Sequence, residues 1–414
     1  MKIALIIIGD EVLLGQVVDT NATSIARILY KEGLEIYKKW TVADKSDQIL
    51  LALHEASQDA DVLLMTGGLG PTKDDITKKT LADYFEVDLI FSDENKIHLE
   101  KMLQIRNMKI TPNHLQQCYL PANAILLDNQ LGTALGMYIK AHSKMYFSMP
   151  GVPYEMEFIM NHGVVPRLRE NKQNIQVYHQ TIHTIGMGET EIADLIEPKF
   201  GELPSYLSLA YLPSQGQVKL RLTGKHESLD FLKEKIETYK EIIKDTLIDN
   251  ILGFGDTSLE EEIGKLLIKQ ERTLSTAESC SGGYLAHKIV SVPGASEYFQ
   301  GSIVAYQYEM KHKLLGVSEE VLAKFGAVSE ECVVEMVKGA CSELDSNYAI
   351  ATSGIAGPLG GTEDKPVGTV WIAYGTKDII KTKKLRFFRD RIRNIEATAT
   401  FAMILFWKYL KEVK

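Results

Sequence analysis

The sequence predicts an α/β protein in three parts: a doubly wound parallel sheet at the N-terminus, a small α+β middle module, and a second α/β domain at the C-terminus. Three observations carry this. The chain has 414 residues, which at roughly 150 residues per domain makes two or three domains. Apolar strand-like runs alternate with amphipathic stretches in the first and last segments, the pattern of parallel sheets with helical crossovers. The character changes after about residue 170, where Glu170-Asn171-Lys172-Gln173-Asn174 is polar and linker-like. The domain spans read from these changes are 1–170, 171–252 and 253–414.

Residues 2–8 are a continuous apolar run, as expected for a parallel strand covered on both faces. They run into Gly9-Asp10-Glu11 without a small-residue cleavage site, so they read as a strand and not as a signal segment. Asp19-Thr20-Asn21 offers caps for a helix with Ile25, Ile28 and Leu29 on one face. Strands are predicted at 34–42 and 61–65, the second ending in Thr66-Gly67-Gly68-Leu69-Gly70-Pro71. A helix is expected near Asp74-Asp75, where acidic residues suit the positive end of the helix dipole. A strand at 145–148 precedes the turn Pro150-Gly151-Val152-Pro153 and a helix from Tyr154. The middle module reads as strand 177–185, helix 189–196, strands around 207–212 and 217–223, and helix 229–248, with residues 251–256 as the next boundary. The last segment reads as helix 259–269, strand 273–276, a helix from Gly282, strand 302–306, and helices around Val321 and Val334. Strand 348–352 then enters a glycine-rich loop at 353–361, followed by strands 367–374 and 380–388 and a helix from about Asn394.

The net charge of -9 argues against nucleic acid or an anionic membrane as the main partner. The four cysteines show no C-x-x-C spacing, which fits a reducing compartment and offers no metal framework. No apolar run reaches the ~18 residues that span a bilayer. The expected location is the cytoplasm.

Four pieces of the last segment carry chemistry. Thr276-Ala277-Glu278-Ser279-Cys280-Ser281-Gly282-Gly283 follows a short strand and opens a helix. A serine there is either a nucleophile, if a base lies nearby, or only an N-cap. Cys280 is a competing nucleophile, better read as a small buried thiol. Thr352-Ser353-Gly354-Ile355-Ala356-Gly357-Pro358 is a loop able to nest phosphate, or an ordinary turn. Lys311, near Tyr306, is a base if burial lowers its pKa, or a solvated surface charge. Arg389, Arg391 and Arg393 suit phosphate or an oxyanion, or form a solvated charge run.

The order and wording of these motifs, with Gly326-Ala327-Val328-Ser329 and Lys365-Pro366-Val367-Gly368-Thr369-Val370, closely resemble the C-terminal domain of the competence/damage-inducible protein A (CinA) family. The resemblance covers about residues 256–414. It implies a nicotinamide-nucleotide amidohydrolase that needs no cofactor and converts nicotinamide mononucleotide and water to nicotinate mononucleotide and ammonia. It implies Ser279 as nucleophile, with Tyr306, Lys311 and Arg391 as catalytic partners. Lys311 would take the serine proton, and Arg391 would stabilise charge or hold substrate. Ser281, Gly282, Ser353, Gly354, Ala356 and Gly357 would contact substrate. Two places depart from the family: Ser281 stands for threonine, and Gln307-Tyr308 stand for serine-asparagine.

In the first segment, Gly9-Asp10-Glu11, Asp19-Thr20-Asn21, the Thr66 to Asp75 run and Pro150-Gly151-Val152-Pro153 all fall at predicted strand ends. Glycines admit phosphate, and carboxylates hold a hard divalent cation; helix capping and tight turns are the plainer explanation. These motifs resemble the molybdopterin-binding (MogA-like) domain of the same family, over about residues 1–168. The resemblance implies a metal-dependent ADP-ribose pyrophosphatase giving AMP and ribose 5-phosphate. Gly67, Gly68, Gly70 and Asn21 would bind substrate, and Asp10, Asp74 and Asp75 would hold Mg²⁺, Mn²⁺ or Co²⁺.

The run Thr184 to Glu191 resembles the family's KH-like linking domain. RNA-binding KH domains clamp the backbone with a G-x-x-G loop, and none occurs between Val177 and Asn250. The module therefore reads as a structural or dimerising spacer, and a homodimer is implied by resemblance. The leading expectation is a bifunctional pyridine-nucleotide salvage enzyme with small nucleotides as its partners. The alternatives are a molybdopterin-related binding or transfer protein and a non-enzymatic DNA-uptake module.

Overall fold

The structure, a computed structural model, describes residues 1–70, 76–170 and 176–413. Asp74 and Asp75, the helix start expected beside them, and linker residues 171–174 lie outside the described residues. The chain divides into two compact units, Met1–Tyr178 with Lys225–Leu229, and His179–Gly224 with Asp230–Lys414.

Among the described residues the first unit has eight strands: β1 (Ile3–Ile8), β2 (Ile36–Val42), β3 (Val62–Thr66), β4 (Leu89–Phe91), β5 (Tyr119–Pro121), β6 (Ile125–Leu127), β7 (Gly136–Ala141) and β8 (Lys144–Met149). Six form one sheet in the order β2-β1-β3-β8-β7-β6. The strands β2, β1, β3 and β8 are parallel, while β7 and β6 run antiparallel at one edge. Every residue of β1 and β3 is buried, because apolar clusters cover both faces. Ile3, Leu5 and Ile7 pack with Ile25 and Leu29 on one side, and Ala4, Ile6 and Ile8 with Ile49 and Leu53 on the other. The helix Thr20–Lys31 starts at the predicted cap, with the Asp19 carboxylate accepting from the Ala22 N–H. The strands β4 and β5 pair as a separate two-stranded ribbon.

The second unit contains most of β9 (Gln176–Ile185), β10 (Leu207–Ser214), most of β11 (Gln217–His226) and β12 (Ile251–Phe254), in a sheet ordered β10-β11-β9-β12. The segment expected as a boundary at 251–256 is thus mostly strand, with β12 antiparallel to β9. Its Leu252 and the neighbouring Ile185 share a buried cluster with Leu259, Ile263 and Phe406, so apolar burial continues through that point. The remaining strands are β13 (Leu274–Glu278), β14 (Phe299–Val304), β15 (Tyr348–Gly354), β16 (Thr369–Gly375) and β17 (Ile380–Arg386). Their order is β14-β13-β15-β16-β17. The first three are parallel, and β16 and β17 are antiparallel additions. The last helix, Arg391–Glu412, buries Ala399, Met403, Phe406, Trp407 and Leu410. Among the described residues, no helix is long and apolar enough to cross a membrane.

Candidate functional site

The C-terminal constellation is assembled by strand register. Glu278, the last residue of β13, lies opposite Val304 of β14 and Thr352 of β15. Ser279, Ala305 and Ser353 therefore emerge together at one carboxyl edge, where α/β sheets place ligands. The Ser279 N–H donates to the Thr352 carbonyl at 2.9 Å, and the Ala305 N–H donates to the Glu278 carbonyl at 2.9 Å. Gly282 (φ 61°) and Gly283 (φ 94°) then turn the chain into the helix Tyr284–Val290, a conformation that suits glycine.

Lys311 comes from the helix Tyr308–Leu315 and is fully buried. Its Nζ lies 2.9 Å from Ser279 Oγ, 2.7 Å from the Ala305 carbonyl and 3.0 Å from the Tyr306 carbonyl. Burial is the main influence on its pKa and lowers it, because desolvation penalises the charged amine. The two carbonyls only accept, so they must take two N–H bonds from Nζ. In the neutral amine the one remaining position is a lone pair, and Ser279 Oγ sits where its proton can be received. The neighbouring Cys280 is pushed up to about 12 by burial, so it stays a protonated thiol at neutral pH.

Arg391 Nη2 donates to the Tyr306 hydroxyl at 3.0 Å and Nη1 donates to the Gly357 carbonyl at 2.8 Å. The guanidinium thus joins the exposed tyrosine to the 353–357 loop. A cavity of about 200 Å³ holds Ser279, Lys311, Tyr306, Ser353, Gly354 and Ala356 in its walls, together with Tyr308. The other expected contacts serve the frame. The Ser281 hydroxyl pairs with Thr352 Oγ1 at 2.6 Å in a buried position, Gly282 makes the turn, and Gly357 receives Arg391. Ser353 itself donates to the Ala327 carbonyl at 2.7 Å.

Sequence reasoning missed two supports. Glu278 is fully buried, and its carboxylate accepts from the N–H groups of Gly283, Leu285 and Ala286 at 2.9, 3.1 and 2.8 Å. It thereby fixes the turn that carries Ser279. Asn394 donates to the carbonyls of Ala356 and Arg389 at 3.0 and 2.8 Å, tying the loop to the last helix. An acid immediately before a serine-glycine turn was the available signal for the first; nothing in the local sequence marked the second.

In the first unit a cavity of about 430 Å³ is lined by Gly67, Gly68, Gly70, Glu11, Asp44 and Gln117, among others. Gly67 has φ 115°, and a Cβ there would stand 2.0 Å from the Ile8 carbonyl oxygen, so the close approach requires glycine. Asn21 donates to the Gly151 carbonyl at 2.7 Å and to Thr66 Oγ1 at 3.2 Å. It braces the wall and is not part of the lining. The exposed Asp10 uses its backbone N–H to donate to Asp44 Oδ2 at 3.1 Å. The sequence did not single out Gln117, whose buried Oε1 has no hydrogen-bond partner among the described residues, or Glu155, which accepts from Asn129 Nδ2 at 2.7 Å. Among the described residues no three His, Cys, Asp or Glu groups form a metal set; of the three expected ligands, Asp74 and Asp75 lie outside the described residues.

Comparison with known proteins covers nearly the whole chain. Residues 4–170 match the probable molybdopterin binding domain, residues 179–253 the damage-inducible protein CinA KH domain, and residues 256–410 the CinA C-terminal domain. A CinA-like protein of Cytophaga hutchinsonii is 45% identical over 99% of this chain and 98% of its own. A putative competence-damage inducible protein of Halothermothrix orenii is 36% identical over 98% of each. The crystal structure of competence damage-inducible protein A from Klebsiella pneumoniae matches 38% of this chain and 97% of its own, at 34% identity and TM-score 0.37.

Proposed function

The chain belongs to the CinA family, and on that premise we propose that its C-terminal site is a serine–lysine amidase acting on nicotinamide mononucleotide. The observation that carries the reading is the buried Lys311 amine, 2.9 Å from Ser279 Oγ with two carbonyls fixing its orientation. In the first half-reaction Lys311 Nζ takes the serine proton as Oγ bonds to the carboxamide carbon. The tetrahedral adduct collapses when the Lys311 ammonium returns that proton to the amide nitrogen, the C–N bond breaks and ammonia leaves. Water then attacks the ester carbon, its proton passing to Lys311, and the C–Oγ bond breaks as the Lys311 ammonium returns that proton to Oγ, releasing nicotinate mononucleotide and restoring Ser279 and the neutral amine. General base catalysis of this kind contributes roughly 10² to 10⁴ in rate. Tyr306 lines the cavity and the planar guanidinium of Arg391 donates to its hydroxyl, an arrangement suited to orient an anionic phosphoribosyl group.

For the first unit we propose hydrolysis of ADP-ribose to AMP and ribose 5-phosphate. Backbone at Gly67 to Gly70 offers close approach to a pyrophosphate, and a divalent ion would supply charge neutralisation of its oxygens. The test of the leading reading is ammonia release from nicotinamide mononucleotide by wild type and Ser279→Ala. Equimolar ammonia and nicotinate mononucleotide from the wild type alone supports it, and equal release by both proteins rejects it.

A further inference from the structure

Gln307-Tyr308 is one of the two places read above as departing from the resembled family, and the structure puts Tyr308 in the wall of the cavity that holds Ser279 and Lys311. Tyr308 and Lys311 are three residues apart on one helix, so they project from the same face. The Tyr308 side chain is 53% exposed, yet its hydroxyl accepts the Ala327 N–H at 3.2 Å. The carbonyl of the same Ala327 accepts from Ser353 at 2.7 Å, so both polar groups of one residue in the wall are bound by cavity side chains. The ring is thereby tied at its polar end while half its surface stays open. Tyr306, 55% exposed, lines the same cavity.

We propose that Tyr308 is a specificity-determining residue that selects a flat, positively charged aromatic amide. Its ring supplies a fixed electron-rich surface, and a pyridinium carrying the carboxamide is a planar cation that such a surface attracts. A smaller polar residue at this position has no such face. The amidase reading underlies this proposal and adds a requirement to it: the charge of the substrate ring contributes to binding, apart from the fit of the amide into the serine–lysine pair.

The test uses the full chain carrying Ser279→Ala, so that bound substrate is not turned over. Calorimetric titration compares nicotinamide mononucleotide with its dihydro form, whose ring is uncharged. Adding Tyr308→Ala is expected to weaken binding of the cation about threefold to thirtyfold, and to weaken binding of the dihydro form by a smaller factor. Tyr308→Phe, which keeps the aromatic face, is expected to retain the preference for the cation and serves if the alanine variant does not fold. Equal losses for both ligands, or no loss for either, would overturn the proposal. Ammonia release from nicotinamide mononucleotide by the Ser279-containing protein is measured in parallel. Its absence overturns the amidase reading and this proposal together, whereas its presence with equal losses overturns the role of Tyr308 alone.

Discussion

Replacing Lys311 by methionine separates the two things the buried amine does. Its Nζ donates to the Ala305 and Tyr306 carbonyls, and methionine leaves both without that donor. Each buried carbonyl left unpaired costs about 1–3 kcal/mol. Against this, removing an amine that burial disfavours recovers roughly 1–3 kcal/mol. The net loss at neutral pH is then about 1–3 kcal/mol, which a folded protein survives. The pH dependence has a definite sign. Burial lowers the Lys311 pKa in the folded state, so between that value and the ordinary lysine value near 10.4 the unfolded chain binds more protons. Wild-type stability therefore rises with pH through this window, and the variant lacks that slope. Activity follows the same titration, because only the neutral amine can take the serine proton. Ammonia release by the wild type climbs as pH rises through the lowered pKa, and Lys311→Met loses roughly 10² to 10⁴ in rate together with that limb. Denaturant midpoints and ammonia release, both followed against pH, give the answer. A variant within tenfold of wild type, or one that keeps the rising limb, refutes the role given to Lys311.

Other consequences are equally concrete. Glu278→Gln removes the anion that accepts three backbone N–H groups; a loss of about 2–4 kcal/mol is expected, read as a lower denaturation midpoint with ammonia release falling beyond what unfolding explains. Cys280→Ala is expected to keep ammonia release within a few-fold, because the thiol it removes is held protonated; loss of activity to the level of Ser279→Ala would make Cys280 the nucleophile instead. Arg391→Lys cannot bridge the Tyr306 hydroxyl and the Gly357 carbonyl with a planar fork, so KM for nicotinamide mononucleotide should rise about tenfold, and an unchanged KM argues against a binding role. Gly67→Ala places a Cβ 2.0 Å from the Ile8 carbonyl oxygen and should abolish AMP release from ADP-ribose, with ammonia release as the control.

Much of this was legible because apolar runs and caps are local signals. The buried strands β1 and β3 and the Asp19 cap lie where pattern places them, whereas the stretch around Ser279 by itself leaves nucleophile and N-cap both open, and only the family resemblance implies the nucleophile. What pattern could not supply was register. Ser279 and Lys311 are 32 residues apart in the chain, and only the pairing of β13 with β14 brings Ala305 and then Lys311 to the serine. The hairpin of β7 and β8 escaped notice because His142 (φ 49°) and Ser143 (φ 63°) make its turn, without the Asn-Gly or Asp-Gly signature such turns usually carry. The strand β12, at the segment expected as a boundary, is not legible as a strand because Gly253 and Gly255 look like breakers and its partner is the distant β9. Glu278 went unremarked because the role of a capping carboxylate depends on the path of the turn after it. The arginine run was ambiguous by composition. Position divides it, with Asp390 capping the last helix by accepting from the Arg393 N–H and Arg391 reaching the site.

The central claim is that Ser279 becomes covalently bonded to the acyl group, and partitioning with hydroxylamine measures this directly. Wild type is given nicotinamide mononucleotide and increasing hydroxylamine, and ammonia, nicotinate mononucleotide and its hydroxamate are quantified. A serine ester intermediate predicts that hydroxamate appears at the expense of nicotinate mononucleotide, and that Ser279→Ala forms neither product. Nicotinate mononucleotide from the wild type with no hydroxamate at any concentration, or the same product ratio from Ser279→Ala, would contradict it.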